Sequence, residues 1–215
     1  AMSLERMRAR LERSEMNISA DGRDWHLVYL EGGPVDAPPL LLLHGIGADK
    51  DNWTKVAASG LTQRYRVYAV DLPGFGESDK PADARYRIAD QVARVAEIAK
   101  KLGLSRFHLA GNSMGGWIAA EAACRNTRKI QSLTLMAPAG LRIKGTPIGD
   151  NFIWSPEESV RNLVFDQALA ERARRRPRST AACRGIDRLG ETGGGLKGQH
   201  AQTRRLTRVS SSDSV

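Results

Sequence analysis

Cysteine is almost missing from this chain of 215 residues, with Cys124 and Cys183 as the whole supply. Two thiols so far apart make neither a disulfide framework nor a metal knuckle, so both are read as plain thiols and no metal is expected. Long apolar runs are missing as well. No segment approaches the roughly 18 residues of a membrane span, and the opening "AMSLERMRARLERSEMN" has charges where a signal peptide would have its apolar stretch. A cytoplasmic protein with no membrane span is therefore expected. Aromatic residues make up only 6% of the chain and histidines number four, which limits any chemistry that needs an imidazole base.

What is present suits one globular domain with a sizeable core, since 41% of the residues are hydrophobic and 27% charged. The net charge of +9 is distributed unevenly. Residues 1–170 hold 22 Lys and Arg against 20 Asp and Glu, whereas residues 171–215 hold 11 against 4. The basic excess therefore belongs to a tail. That tail has no Phe, Trp or Tyr and no apolar period, so it lacks the apolar surface that would offset the entropy of ordering it, and disorder is expected there. Arg172, Arg174, Arg175, Arg176 and Arg178 could contact phosphates. With no interleaved aromatics and no recognised module, no specific nucleic-acid partner is expected.

The remaining chain alternates strand and helix signals. "MNISADGRDWHLVYLEGG" reads as a hairpin around Asp21-Gly22. "PPLLLLHGIG" is an apolar strand ending at His44-Gly45, of the kind buried on both faces of a parallel sheet. "DNWTKVAASGL" predicts a short helix capped by Asp51 or Asn52, and "YRVYAVDLPG" the next buried strand. Apolar residues recur at helical spacing from Ile88 to Leu102, with Gly103 as the stop. "SRFHLAG" and "IQSLTLMAPAG" are two more strands, separated by a helix from Met114 to about Cys124. This order predicts an α/β domain, with helices on both faces of a mostly parallel sheet. Residues 1–140 form its core. Residues 141–170 read as the start of a lid or cap, with a helix beginning near Ser155, and residues 171–215 as the basic low-complexity tail.

The chemistry centres on "LAGNSMGGWIAA", a strand leading into Gly-Asn-Ser-Met-Gly and straight out into helix formers. A strand that ends in a tight turn before a helix lifts a serine side chain above the carboxyl edge of the sheet, so Ser113 is the candidate nucleophile. The alternative is a plain turn or N-cap serine. The helix beginning at Met114 would aim free N–H groups at an oxyanion, and the "HGIG" loop would add the N–H of Ile46. The alternative there is that His44-Gly45 merely turns the chain, and His44 itself is read as structural. Asp71, in "DLPGFGESDKP", is likewise read as a structural carboxylate. Trp53, Trp117, Phe152, Trp154 and Phe165 are read as core rather than pocket lining.

"LLLLHGIG", "VDLPGFGESDKP", "HLAGNSMGGWIAAEAA" and "SLTLMAPAGL", in this order, resemble the α/β-hydrolase superfamily over about residues 15–170. "GNSMGG", "APAGL" and "SPEESVRNLVF" look most like its monoacylglycerol-lipase and bacterial lipase or esterase branch, with carbon–carbon bond hydrolases a near second. The resemblance implies hydrolysis of small-molecule acyl esters through an acyl-enzyme, with Ser113 as nucleophile, Ile46 and Met114 as oxyanion donors, and no cofactor. It also implies an acid and a histidine on loops after two further strands. No apolar strand ending in Gly-x-x-Asp follows Asp166, and no Gly-His pair follows a last strand. His200 is the one histidine after Ser113 and so the candidate base, although its "LKGQHAQT" context is unlike the family's. The composition break is what an altered reading frame near residues 168–176 of a GC-rich gene would produce. A sheet ending at "SLTLM" would also expose an edge open to self-association. A catalytically inactive hydrolase fragment is the competing reading.

Overall fold

The computed structural model describes residues 4–141 together with Lys144 and Ala168. The tail, His200, Cys183 and almost all of the expected lid, with Phe152, Trp154 and Phe165, lie outside the described residues.

The chain opens with α1 (Leu4–Ala9) and a hairpin of β1 (Glu12–Ala20) and β2 (Arg23–Gly32). Ala20 pairs with Arg23, which leaves Asp21 and Gly22 as the two-residue turn, with φ of 58° and 76°. Two positive φ values make the turn whose twist matches that of paired strands, and Asp-Gly tolerates them. Arg94 fastens the turn to the body. Its Nε donates to the Asp21 carboxylate at 2.8 Å, and its guanidinium carbon lies 4.2 Å from the centre of the Trp25 ring.

β3 (Pro39–Leu43), β4 (Arg66–Val70), β5 (Phe107–Asn112) and β6 (Ile130–Met136) complete a six-stranded sheet in the order β1-β2-β4-β3-β5-β6. β4, β3, β5 and β6 run parallel, and β2 joins β4 antiparallel. The leucine-rich β3 shows why such strands carry no alternating pattern. Leu41 and Leu43 enter one core with Val92, Val95, Ile98, Leu109 and Ile118. Leu40 and Leu42 enter a second core with Trp53, Ala57, Val67 and Ala69. Neighbouring side chains point to opposite faces of a strand, so β3 needs apolar residues at every position.

One face is covered by α4 (Ile88–Lys101) and α5 (Met114–Arg125), the other by α1 and the helical stretch 50–64. α4 ends as the sequence predicts, with Gly103 at φ 70°. The stretch 50–64 departs from expectation. It runs through a 3-10 turn (Lys50–Trp53), α2 (Thr54–Val56), a wide turn (Ala57–Leu61) broken at Gly60, and α3 (Thr62–Arg64). Its cap is Asp49 rather than Asp51 or Asn52, with the Asp49 carboxylate accepting from the Asp51 N–H at 2.9 Å. The reason is tertiary, because Lys50 is drawn into the interior by Asp71 and the helical turn must start there.

Candidate active site

β5 ends at Asn112 and α5 begins at Met114, so Ser113 is the single residue that turns the chain. It does so at φ 52° and ψ −117°, a conformation rarely adopted by residues with a side chain. Holding a residue there costs on the order of 1–3 kcal/mol. The flanking glycines follow from crowding. A Cβ at Gly111 would lie 2.2 Å from the Gly115 carbonyl oxygen, and one at Gly115 would lie 2.3 Å from that of Leu43. The elbow is therefore wedged between its own helix and the end of β3.

The loop after β3 runs against the serine. A Cβ at Gly45 would sit 3.7 Å from Ser113 Oγ, which places Gly45 beside the hydroxyl, with Ile46 next in the loop. Among the described residues, neither the Ile46 nor the Met114 N–H has an acceptor, and Ser113 Oγ has no hydrogen-bond partner. The first N–H groups of a helix lack intrahelical acceptors and carry its positive dipole end, so α5 offers Met114 N–H to a negative oxygen beside Ser113. Ser113 and Met114 thus adjoin at the elbow, with Gly45, the residue before Ile46, against the serine side chain.

His44 is fully buried, and burial pushes its imidazole below the usual histidine range, so it is neutral. Its ring nitrogens are both occupied by backbone. Nε2 accepts from the Leu72 N–H at 3.0 Å, which leaves Nδ1 as the donor to the Gly45 carbonyl at 2.8 Å. The Phe75 ring packs edge-on against the imidazole at 5.3 Å, so His44 is held on three sides. It shapes the loop and has no lone pair for Ser113. His26 faces Glu15 at 3.1 Å on the hairpin, and His108 Nδ1 lies 2.7 Å from Ser132 Oγ across β5 and β6. No described histidine meets the serine, and His200 lies outside the described residues.

Beneath the loop sits a charged group that sequence reasoning only half found. Asp71 is fully buried and accepts from the Lys50 N–H at 2.6 Å, the Lys50 ammonium at 2.9 Å and the Glu77 N–H at 2.7 Å. Glycine is needed opposite, because a Cβ at Gly76 would lie 2.1 Å from the Asp71 carboxylate. Lys50 also donates to Glu77 at 2.6 Å. Burial lowers the Lys50 pKa, but Glu77 and Asp71 outweigh it and the net shift is upward. Hydrogen bonding to Lys50 holds the Glu77 carboxyl below its usual range. Asp49 shifts the other way, raised by burial and by the Asp71 charge. A lysine among acids in "ADKDNW" reads as solvated surface, so nothing local marked Lys50 as the buried counter-ion.

Among the described residues, no cluster of three or more His, Cys, Asp or Glu could hold a metal ion, and no helix is long and apolar enough to cross a membrane.

Known proteins share this architecture. Lipase 1 of Psychrobacter immobilis is 39% identical over 144 residues, covering 66% of this chain and 44% of the lipase. The chain thus spans less than half the length of that relative. The 2-hydroxy-6-oxo-2,4-heptadienoate hydrolase of Pseudomonas putida is 33% identical over 139 residues, covering 63% of this chain and 50% of the hydrolase. The crystal structure of a bacterial membrane phospholipase A is similar with a TM-score of 0.66 and 38% identity, over 88% of this chain and 66% of that one. Residues 38–201 match the family described as alpha/beta hydrolase fold. That match takes in most of the chain, including the parallel strands and the serine at the turn from strand to helix, and the chain belongs to the α/β-hydrolase fold family.

Proposed function

We propose that the chain is an esterase or lipase-type serine hydrolase that cleaves carboxylic esters through an acyl-enzyme on Ser113. The observation that carries this reading is the strained Ser113, held at φ 52° with its hydroxyl beside Gly45. Ser113 Oγ attacks the ester carbonyl, and the oxygen that becomes negative accepts from the Met114 and Ile46 N–H groups. The alcohol leaves, and water then releases the acid. Preorganised donors at such a position contribute roughly 3–4 kcal/mol of transition-state stabilisation each. Attack also requires a base. His26, His44 and His108 are engaged elsewhere, so His200 is the candidate this chain itself supplies.

The lipase and phospholipase relatives support the ester substrate. The test is p-nitrophenyl butyrate hydrolysis by the full chain, its Ser113→Ala variant and its His200→Ala variant, with fluorophosphonate labelling in parallel. Loss of turnover and labelling in both variants is expected. Turnover retained in Ser113→Ala overturns the nucleophile assignment, and a parent without turnover or labelling identifies a hydrolase body lacking its base.

A carbon–carbon bond hydrolase is the second reading, favoured by the Pseudomonas putida relative. Ser113-dependent cleavage of 2-hydroxy-6-oxo-2,4-heptadienoate, with no turnover of the butyrate ester, would replace the first reading with it.

A further inference from the structure

We propose that the turn after β6, residues 137–140, is a clamp that aims the Met114 N–H at the oxyanion, with Ala139 as its positioning residue, an inference that rests on Ser113 as nucleophile and Met114 as oxyanion donor.

The Ser113 N–H donates to the Met136 carbonyl at 3.0 Å. The Ser113 carbonyl accepts twice, from the Trp117 N–H at 3.1 Å and from the Ala139 N–H at 2.9 Å. The bond from Trp117 is the first rung of α5 and would exist in any helix starting here. The other two come from the end of β6 and its turn, so a separate segment of chain grips the nucleophile on both sides of its Cα.

The carbonyl of Ser113 and the N–H of Met114 belong to one peptide unit, which is planar, and in the trans form they point in opposite directions. Every peptide bond among the described residues is trans, this one included. Fixing the carbonyl therefore fixes the direction of the Met114 N–H. Ala139 never touches the substrate in this arrangement, yet its N–H sets the rotation of the peptide that does.

The turn is shaped for this contact. Ala137 and Gly140 both have positive φ, at 41° and 79°. An alanine in that region persists only where its surroundings over-determine it. Two close approaches seat the turn on the first turn of α5. A Cβ at Gly116 would lie 2.9 Å from Pro138 Cβ, and one at Gly140 would lie 2.4 Å from the Trp117 ring. The bond from Ala139 lies between these two contacts in sequence, which limits how far it can drift.

Ala139→Pro deletes the N–H, and the full chain carrying it is compared with the parent for p-nitrophenyl butyrate hydrolysis. The expected result is a kcat lowered about 10²-fold, as for a small misplacement of a catalytic group, with KM within about twofold. A second readout needs no base. In a background lacking Cys124 and Cys183, Ser113→Cys places a thiol at the elbow, and its iodoacetamide alkylation is followed against pH. A thiolate at a helix N-terminus is stabilised by the N–H groups aimed at it. Adding Ala139→Pro is expected to move the midpoint of that profile upward. An unmoved midpoint and unchanged kcat in a folded variant overturn the clamp. If Ala139→Pro does not fold, Pro138→Gly loosens the same turn, and the same shift supports the clamp while no shift overturns it. If the parent shows no esterase turnover, the functional reading fails alone and the thiol profile still decides the clamp.

Discussion

Replacing Asp71 with leucine would remove the acceptor for three donors at once, the Lys50 N–H, the Lys50 ammonium and the Glu77 N–H. The Asp71 side chain has no exposure and that of Lys50 only 2%, so neither stranded group could turn to water. Breaking a buried ion pair from one side costs about 3–5 kcal/mol where the remaining charge is left uncompensated, but the Lys50 ammonium keeps the Glu77 carboxylate at 2.6 Å, so the loss falls at the low end of that range. Asp71→Leu is therefore expected to lower stability by about 3 kcal/mol. Lys50→Met should cost less, about 2 kcal/mol, because Asp71 keeps its two backbone donors. In the double variant Lys50→Met/Asp71→Leu neither charge of the pair is left buried without the other, so its total cost should fall short of the sum of the singles by at least about 1 kcal/mol. Urea unfolding of the full chain, followed by far-UV circular dichroism at constant m, measures all four corners of the cycle. Additivity within about 0.5 kcal/mol would refute the buried pair as an energetic unit.

His44 is neutral in the folded chain because burial depresses its pKa, whereas in the unfolded chain it titrates near 6.5. Its contribution to stability is therefore complete above about pH 6.5 and is lost as pH falls below that value, by up to about 1.4 kcal/mol per pH unit. Urea midpoints between pH 7.5 and 5.5 should show this slope, and His44→Gln should flatten it. Gly115→Ala should destabilise the chain by about 3 kcal/mol, because the added Cβ meets backbone oxygens of Leu43 and His44 that cannot swing aside. Thermal melts that leave Gly115→Ala within about 2 °C of the parent, roughly what less than 1 kcal/mol produces, would refute that crowding.

The parts of this protein that depend on local geometry were legible in its amino-acid order alone. Asp21-Gly22 names a turn that needs two positive φ values, and the four leucines of β3 name a strand covered on both faces. Gly111 and Gly115 around Ser113 record how closely a strand, a turn and a helix must pack, which is why the turn that carries Ser113 could be read from residue types and spacing. What distant residues do to one another came from the packing of the whole chain. Packing buried Lys50 against Asp71 and so moved the helix cap to Asp49, closed both nitrogens of His44 onto the backbone, and laid the turn after β6 across the Ser113 carbonyl. Backbone spacing repeats along a chain and leaves a periodic trace, whereas an ion pair or a single N–H donated across a sheet depends on two segments meeting, and no local pattern records that meeting.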